Sequence, residues 1–188
     1  ELLTNSGTSD LACDIATQTT YPSWGYMIEN GATTLWELWQ LRQGPSMNSH
    51  NHPMFGSVGS WLYKALAGIN LAPGSVGFEK IRIAPQMVRD LHHAAGSTRT
   101  VRGEVSSSWS RDEQCVQVDV VIPVGSEAEV IIPKFNLENI VITEGDQIAW
   151  DARGYQAGVQ GIRSVEKAQA GFLIKIGSGR YSFRLRGD

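Results

Sequence analysis

The sequence predicts an α+β protein in which a helical segment is followed by an antiparallel β-sandwich. Up to about residue 70, apolar residues recur at the three- and four-residue spacings of helices. Beyond Pro73-Gly74 they alternate with polar residues, as in half-buried strands, and turn-forming residues separate the strands at intervals of about ten residues. We therefore expect a helical domain over residues 1–72 and a sandwich domain over residues 73–188.

Three helices are predicted in the first domain. The spacing of apolar residues predicts an amphipathic helix over 9–19, which ends before Tyr21-Pro22 because the residue before proline avoids the helical region. A second helix is predicted over 34–41, and since it is apolar on nearly every side it should be buried. The third is predicted over 53–67, with Pro53 in its first turn and Gly68 at its end.

The second domain shows the period of two that strands require. Alternation of apolar and polar residues is clear in the serine-rich run 103–109, and His92 and His93 read as an ordinary strand pair. The further predicted strands cover 78–83, 116–120, 130–132, 140–142, 172–176 and 181–185.

Composition excludes several classes of partner. With 188 residues, 41% hydrophobic and 19% charged, the chain has the composition of a globular protein. A net charge of −3 from mixed charges makes nucleic acid a poor partner, and no apolar run approaches the ~20 residues that cross a bilayer. Cys13 and Cys115 lie far apart and are expected to remain free thiols, which implies no compartment. Because the chain opens at Glu1 without methionine, we expect a fragment of a longer protein.

One acid between two tryptophans stands out in the helical domain. Glu37 lies between Trp36 and Trp39, and His50 and His52 follow at short range. Aromatic faces cover the apolar side of a pyranose, while carboxylate and imidazole groups hydrogen-bond its hydroxyls. This composition is typical of a sugar-binding cleft.

Each of these residues also has a purely structural interpretation. Thr34 and Glu37 fit a capping box, in which the glutamate bonds the backbone at the start of the helix. Against this, an acid on an apolar helix is costly to bury unless it is paired or used. His50 and His52 could begin a metal site, but no third ligand of suitable spacing follows, so neither a metal nor another cofactor is expected.

Several motifs resemble the C-terminal part of the bacterial α-L-rhamnosidases. The matching stretches are 17–26 (TQTTYPSWGY), 31–37 (GATTLWE) and 51–63 (NHPMFGSVGSWLY), and those at 81–85 and 106–109 resemble the start of the family's sandwich. Beyond about residue 125 the chain carries only a generic strand pattern. The family consists of inverting glycoside hydrolases with an (α/α) six-hairpin barrel followed by a β-sandwich, so residues 1–72 would be the last helices of that barrel.

The resemblance implies roles for the candidate residues. Glu37 takes the place of the family's general base, and His52 that of its sugar-contacting histidine, with His50 a competitor for that role because of the order of residues in this loop. The substrate would be a rhamnose-containing glycoside or polysaccharide. The cleft would be lined by Trp36, Trp39 or Trp24.

The general acid of the family has no counterpart in this sequence. The resemblance therefore implies that the missing N-terminal part of the same polypeptide supplies it, and that this fragment alone is inactive. The rival interpretation is a non-catalytic carbohydrate-binding module that uses Trp109 or Trp150, although tryptophans in a sandwich more often belong to its core. A third possibility is that the sandwich only supports the barrel.

Overall fold

The computed structural model describes residues 1–169 and 171–188 and divides the chain into two compact units, Glu1–Leu62 and Tyr63–Asp188. The first unit is helical and irregular, and the second consists of β-sheet after one helical turn. The predicted α+β class is confirmed. The division falls between Leu62 and Tyr63, whereas the sequence pattern placed the limit between residues 72 and 73, where alternation begins.

Short helices make up the first unit. Within α2 the hydroxyl of Thr17 donates to the carbonyl of Cys13, and the chain becomes extended at Gln18, close to the predicted end of this helix. The Ser23 side chain caps α3 by accepting from the N–H of Tyr26. The helices are α1 (Leu2–Asn5), α2 (Ser9–Thr17), α3 (Trp24–Glu29) and α4 (Ser57–Trp61), with 3-10 turns at Gly44–Ser46 and Pro53–Gly56.

The buried helix predicted over residues 34–41 is wrong. This stretch has no regular secondary structure. The N–H of Glu37 donates to the carbonyl of Ser49 rather than to a carbonyl one turn earlier in its own segment. The aromatic residues of this stretch pack in several directions, which gives a sequence that is apolar on nearly all sides of a helix. The helix itself is disfavoured because aromatic residues lose side-chain freedom in it.

The third predicted helix exists but changes type along its length. The 3-10 turn at Pro53–Gly56 leads into α4, and a π-helical turn, Leu62–Leu66, follows. Gly68 then adopts φ +77°, a conformation that favours glycine, and a β-carbon there would lie 2.3 Å from the backbone nitrogen of Pro85. Gly68 therefore ends the helix where the sequence predicted.

Two sheets form the second unit. One has five strands in the order β1-β2-β6-β11-β10, and the other has seven in the order β3-β4-β5-β12-β7-β8-β9. The strands are β1 (Ile69–Leu71), β2 (Lys80–Ile83), β3 (His93–Thr100), β4 (Gly103–Arg111), β5 (Cys115–Ile122), β6 (Glu127–Pro133), β7 (Val141–Glu144), β8 (Gln147–Asp151), β9 (Gly154–Tyr155), β10 (Ile162–Ala168), β11 (Gly171–Ile176) and β12 (Gly179–Arg186).

Among the described residues, the strands pair antiparallel except at one place. β2 and β6 pair in parallel, with Lys80 opposite Glu127 and Ile83 opposite Val130. Alternation of side chains predicts a strand but not the direction of its partner, so the sequence could not reveal this pair. The pattern also missed β1, which is only three residues long and follows directly after the predicted third helix and Gly68.

The core of the second unit consists of the inward-facing residues of both sheets. Trp109 is 2% exposed and its indole N–H donates to the carbonyl of Leu66 at 2.7 Å. Ser107 lies on the same buried face of β4, so only the neighbouring serines face outward as the alternation predicted. Other fully buried core side chains are Ile81, Ile83, Val105, Val116, Ile132, Ile142, Phe172, Ile174, Ile176, Phe183 and Leu185.

Neither Cys13 nor Cys115 forms a disulfide bond within the described residues. None of the helices in the described part of the chain has the length and apolarity that a membrane crossing requires.

Candidate functional site

Two backbone hydrogen bonds bring the two sequence motifs together. The N–H of Glu37 donates to the carbonyl of Ser49 at 2.8 Å, and the N–H of His52 donates to the carbonyl of Leu35 at 2.9 Å. Residues 35–37 thus run beside residues 49–52. As a result, the acid and both histidines predicted as site residues are held in one small region of the first unit.

The carboxylate of Glu37 is held by the same loop. Its Oε2 accepts from the N–H of Ser49 at 3.1 Å, while Oε1 takes part in no hydrogen bond with the described residues. The side chain is partly exposed. One oxygen is therefore fixed and the other remains able to accept a proton.

The capping-box interpretation of Glu37 is wrong. No helix begins at Thr34, whose hydroxyl instead donates to the carbonyl of His50. Both members of the supposed box bond the loop at residues 49–50. The spacing is the same as in a capping box, but a local spacing cannot show whether the bonding partner lies in the next turn or in a distant loop.

His50 stacks on Trp36. The ring centroids lie 5.0 Å apart with planes inclined by 26°. Trp36 is 3% exposed, so its indole packs against the imidazole and offers little surface to a ligand. The Nε2 atom of His50 is buried and has no hydrogen-bond partner among the described residues. An unpaired buried polar atom is costly, so this nitrogen is suited to an additional partner.

His52 has one ring nitrogen in use. Its Nδ1 accepts from the N–H of Met54 at 3.2 Å, which caps the 3-10 turn at Pro53–Gly56. In a neutral imidazole whose Nδ1 accepts, Nε2 carries the proton and is a donor. His52 thus has a fixed orientation and one N–H that can reach a ligand oxygen.

A cluster of three aromatic side chains supports the site. Trp39 stacks on Phe55 with centroids 3.8 Å apart and meets Trp24 edge to face at 5.2 Å. The indole N–H of Trp24 donates to the carbonyl of Phe55 at 3.0 Å. Phe55 was not predicted as a site residue, because its spacing placed it in the apolar face of the third helix. Its position three residues after His52 was the signal available.

The described residues hold no group of three or more His, Cys, Asp or Glu side chains placed to bind a metal.

The tryptophans of the sandwich are wholly or partly buried. Trp109 belongs to the core, with its indole N–H bonded inside the unit. Trp150 is partly buried, packs against the core and meets Phe172 edge to face at 5.2 Å. A binding platform needs an exposed ring face, and Trp109 cannot provide one.

Comparison with protein families identifies both units. The family described as the bacterial alpha-L-rhamnosidase 6 hairpin glycosidase domain matches residues 1–66, and the bacterial alpha-L-rhamnosidase C-terminal domain matches residues 68–146. The two matches together cover most of the chain. The chain belongs to the bacterial α-L-rhamnosidase family.

Individual rhamnosidases agree with this assignment. An alpha-L-rhamnosidase of Streptomyces avermitilis is 36% identical over 150 residues, which are 77% of this chain and 14% of that protein. One from Formosa agariphila is 37% identical over 148 residues, 76% of this chain and 16% of that protein. The chain thus spans about a sixth of the length of the curated rhamnosidases it matches, in their C-terminal region.

Solved rhamnosidase structures show the same fold. The structure of alpha-L-rhamnosidase from Dictyoglumus thermophilum aligns with a TM-score of 0.86 at 40% identity, over 98% of this chain and 20% of that one. The Streptomyces avermitilis enzyme complexed with L-rhamnose aligns with a TM-score of 0.79 at 31% identity, over 97% of this chain and 16% of that one. The resemblance inferred from the sequence motifs is therefore confirmed at the level of the rhamnosidase family.

Proposed function

We propose that this chain is part of an α-L-rhamnosidase that hydrolyses terminal α-L-rhamnosyl residues with inversion, and that Glu37 is the general base. The observation that carries the proposal is the hydrogen bonding of the carboxylate. Ser49 holds Oε2 through its backbone N–H, and Oε1 is left to accept a proton from water. A base must be both oriented and accessible, and Glu37 meets both conditions.

Inversion requires two carboxyl groups with separate roles. One acid protonates the leaving glycosidic oxygen, while a carboxylate roughly 6.5–9.5 Å away deprotonates the water that attacks the anomeric carbon from the opposite face. Glu37 fills the second role. The acid would come from the N-terminal remainder of the polypeptide, which is the expected partner of this chain, and residues 1–188 alone would not turn over a rhamnoside.

The two histidines and the aromatic cluster would bind the sugar. His52 presents an Nε2–H donor to a rhamnose hydroxyl, and the buried Nε2 of His50 is the second group with hydrogen-bonding capacity to spare. Trp24 and Trp39 retain partly exposed surface that can pack against an apolar sugar face. The relative solved with L-rhamnose supports rhamnose as the sugar.

A chimera tests the proposal. Residues 1–188 replace the homologous C-terminal part of the Dictyoglumus thermophilum rhamnosidase, which is 40% identical. The chimera should hydrolyse p-nitrophenyl α-L-rhamnoside, with the β-anomer of rhamnose seen first by proton NMR. Glu37→Gln should lower kcat by about 10³-fold or more, with a much smaller change in KM.

Azide separates a general base from a structural carboxylate. In a Glu37→Ala chimera, azide can replace water as the nucleophile because it needs no deprotonation. It attacks the anomeric carbon directly, and the aglycone leaves with the proton of the general acid. The product is β-rhamnosyl azide. Recovery of rate with the β-azide supports the base role. Near-normal turnover of Glu37→Gln, or the α-azide as product, contradicts it.

A further inference from the structure

An arginine pair lies on the outer face of the seven-stranded sheet. Along β12 the buried residues Tyr181, Phe183 and Leu185 alternate with outward residues that include Arg184 and Arg186. Because strand residues advance by roughly 3.4 Å, these two side chains start about 7 Å apart on one face. The strand thus places both arginines on the same face of the sheet.

The pair lines a cavity of about 340 Å³. Arg184 stands opposite Gln117 on β5, and Ser110 on β4 stands opposite Gln117 from the other side. Arg184 donates to Oε1 of Gln117 at 3.1 Å, which orients the guanidinium and leaves most of its donors unused. Its volume lies at the lower end of the range of small-molecule binding sites and is large enough for one sugar residue.

The lining of this cavity carries more positive than negative charge. Within the described part of the chain, neither Arg184 nor Arg186 forms an ion pair. Arg111 also lines the cavity, but its guanidinium is committed to the carbonyls of Leu91 and Arg89. The one carboxylate in the lining, Asp112, uses Oδ1 to accept from the N–H of Gln114. Two arginines therefore remain available for a ligand.

We propose that this cavity binds the carboxylate or sulfate group of an anionic sugar, with Arg184 and Arg186 as its ligands. Guanidinium groups match the planar geometry and charge of oxyanions, and two of them enclose one anion better than either alone. Ser110 and the second oxygen of Asp112 are placed to bond hydroxyls beside the anion. This site does not depend on Glu37, and its occupancy is measured without turnover.

Binding of defined probes to the 188-residue chain tests the site. Glucuronate, glucose 6-sulfate, inorganic sulfate and glucose are titrated by NMR and calorimetry at low and high salt. Glucuronate or glucose 6-sulfate should bind saturably and glucose should not, and the affinity should fall severalfold with added salt. The two sugar anions distinguish a carboxylate site from a sulfate site. Binding of inorganic sulfate alone would overturn the assignment to a sugar.

Matched variants locate the binding. The double variant Arg184→Gln and Arg186→Gln should weaken the sugar anion at least about tenfold. Arg180→Gln is the control, because Arg180 is exposed on the same strand but lies outside the cavity lining. Asp112→Asn keeps the turn acceptor and removes the charge, so inorganic sulfate should bind about two- to threefold more tightly.

Two results overturn the proposal. One is the absence of saturable binding by either sugar anion at millimolar concentration. The other is equal weakening by Arg180→Gln and by the double variant, which would assign the effect to the general charge of the face. Circular dichroism of each variant confirms that the sandwich is folded, so loss of binding reports on the site.

Discussion

Glu37 and Ser49 are joined by two hydrogen bonds, in which the backbone N–H of Glu37 donates to the carbonyl of Ser49 and the N–H of Ser49 donates to the Glu37 carboxylate. The backbone and the side chain of one residue are thus fixed by a single partner. Glu37 lies in a segment without regular secondary structure. The position of its carboxylate therefore depends on the backbone of Ser49.

Removing one N–H tests this dependence. Ser49→Pro deletes the donor to Oε2, so in the chimera the kcat should fall by about 10²-fold as the carboxylate loses its orientation. Ser49→Ala is the matched control, since it keeps the N–H and removes only the hydroxyl that accepts from Asn51. Steady-state kinetics with p-nitrophenyl α-L-rhamnoside measures both variants, and equal losses would contradict the role of the backbone donor.

Two variants of His50, which stacks on Trp36, distinguish the contribution of ring packing from that of hydrogen bonding. His50→Phe retains an aromatic ring over Trp36 and removes the buried, unpaired Nε2, so the stability of the isolated chain should be unchanged or raised. His50→Ala removes the stack and should cost about 1 kcal/mol. Urea unfolding, monitored by tryptophan fluorescence, measures the free energy of unfolding of both variants.

Activity supplies a second readout for His50. If Nε2 bonds the sugar, both variants should raise KM for the rhamnoside in the chimera by a similar factor, although only one of them loses stability. A normal KM in His50→Phe would leave His52 as the sole histidine contact.

The aromatic cluster at Trp39 should dominate the stability of the first unit. Trp39→Ala removes the stack on Phe55 and the edge contact with Trp24 and should cost about 3 kcal/mol or more. Trp24→Phe keeps most of the ring contact but leaves the Phe55 carbonyl without its indole donor, so about 1 kcal/mol is expected. Unfolding in urea gives both values, and a larger loss in Trp24→Phe would contradict this ranking.

Acid should weaken one ion pair of the sandwich. The Arg163 guanidinium bonds Glu127 and, with Lys80, holds the pKa of that carboxyl below its usual range. Because the folded-state pKa is depressed, the stabilisation is fully present above the unfolded pKa of about 4.3 and is lost as the pH falls through the folded value. The pair is partly exposed, so its contribution is below about 1 kcal/mol.

A comparison of two glutamates on β6 measures this contribution. Glu127→Gln should lower stability at neutral pH, and its effect should shrink as the pH falls through the depressed pKa of the wild-type carboxyl. Glu129→Gln, on the same face of the same strand, is the control. Thermal unfolding across this pH range distinguishes the two, and identical pH profiles for both variants would contradict the pairing with Arg163.

The sequence predicted the parts of this fold that depend on local pattern. Alternation located β5, β6, β11 and β12, and the proline signals located the end of α2 and the start of the helical segment after His52. The stretch around Trp36 was misassigned because helical spacing and an irregular aromatic cluster give the same apolar pattern. The partners that decide between them, Ser49 and Phe55, lie more than ten residues away.

The candidate site was predicted by residue type, and its geometry was not. Glu37, His50 and His52 were selected for the chemistry their side chains offer and for their family motifs. Which oxygen of Glu37 is held and which nitrogen of His52 accepts depend on backbone donors that any residue except proline provides. Such donors leave no trace in the identity of an amino acid.

The carbonyl of Leu66 that receives the Trp109 indole has a practical consequence for dissecting this protein. The acceptor belongs to the π-helical turn that precedes β1, yet it satisfies a buried donor of the sandwich core. A sandwich excised at Pro73 would lose this acceptor together with the whole of β1 and expose the edge of β2. Excision before Tyr63 keeps both. The useful boundary for domain exchange therefore lies inside the helical segment that ends at Leu66.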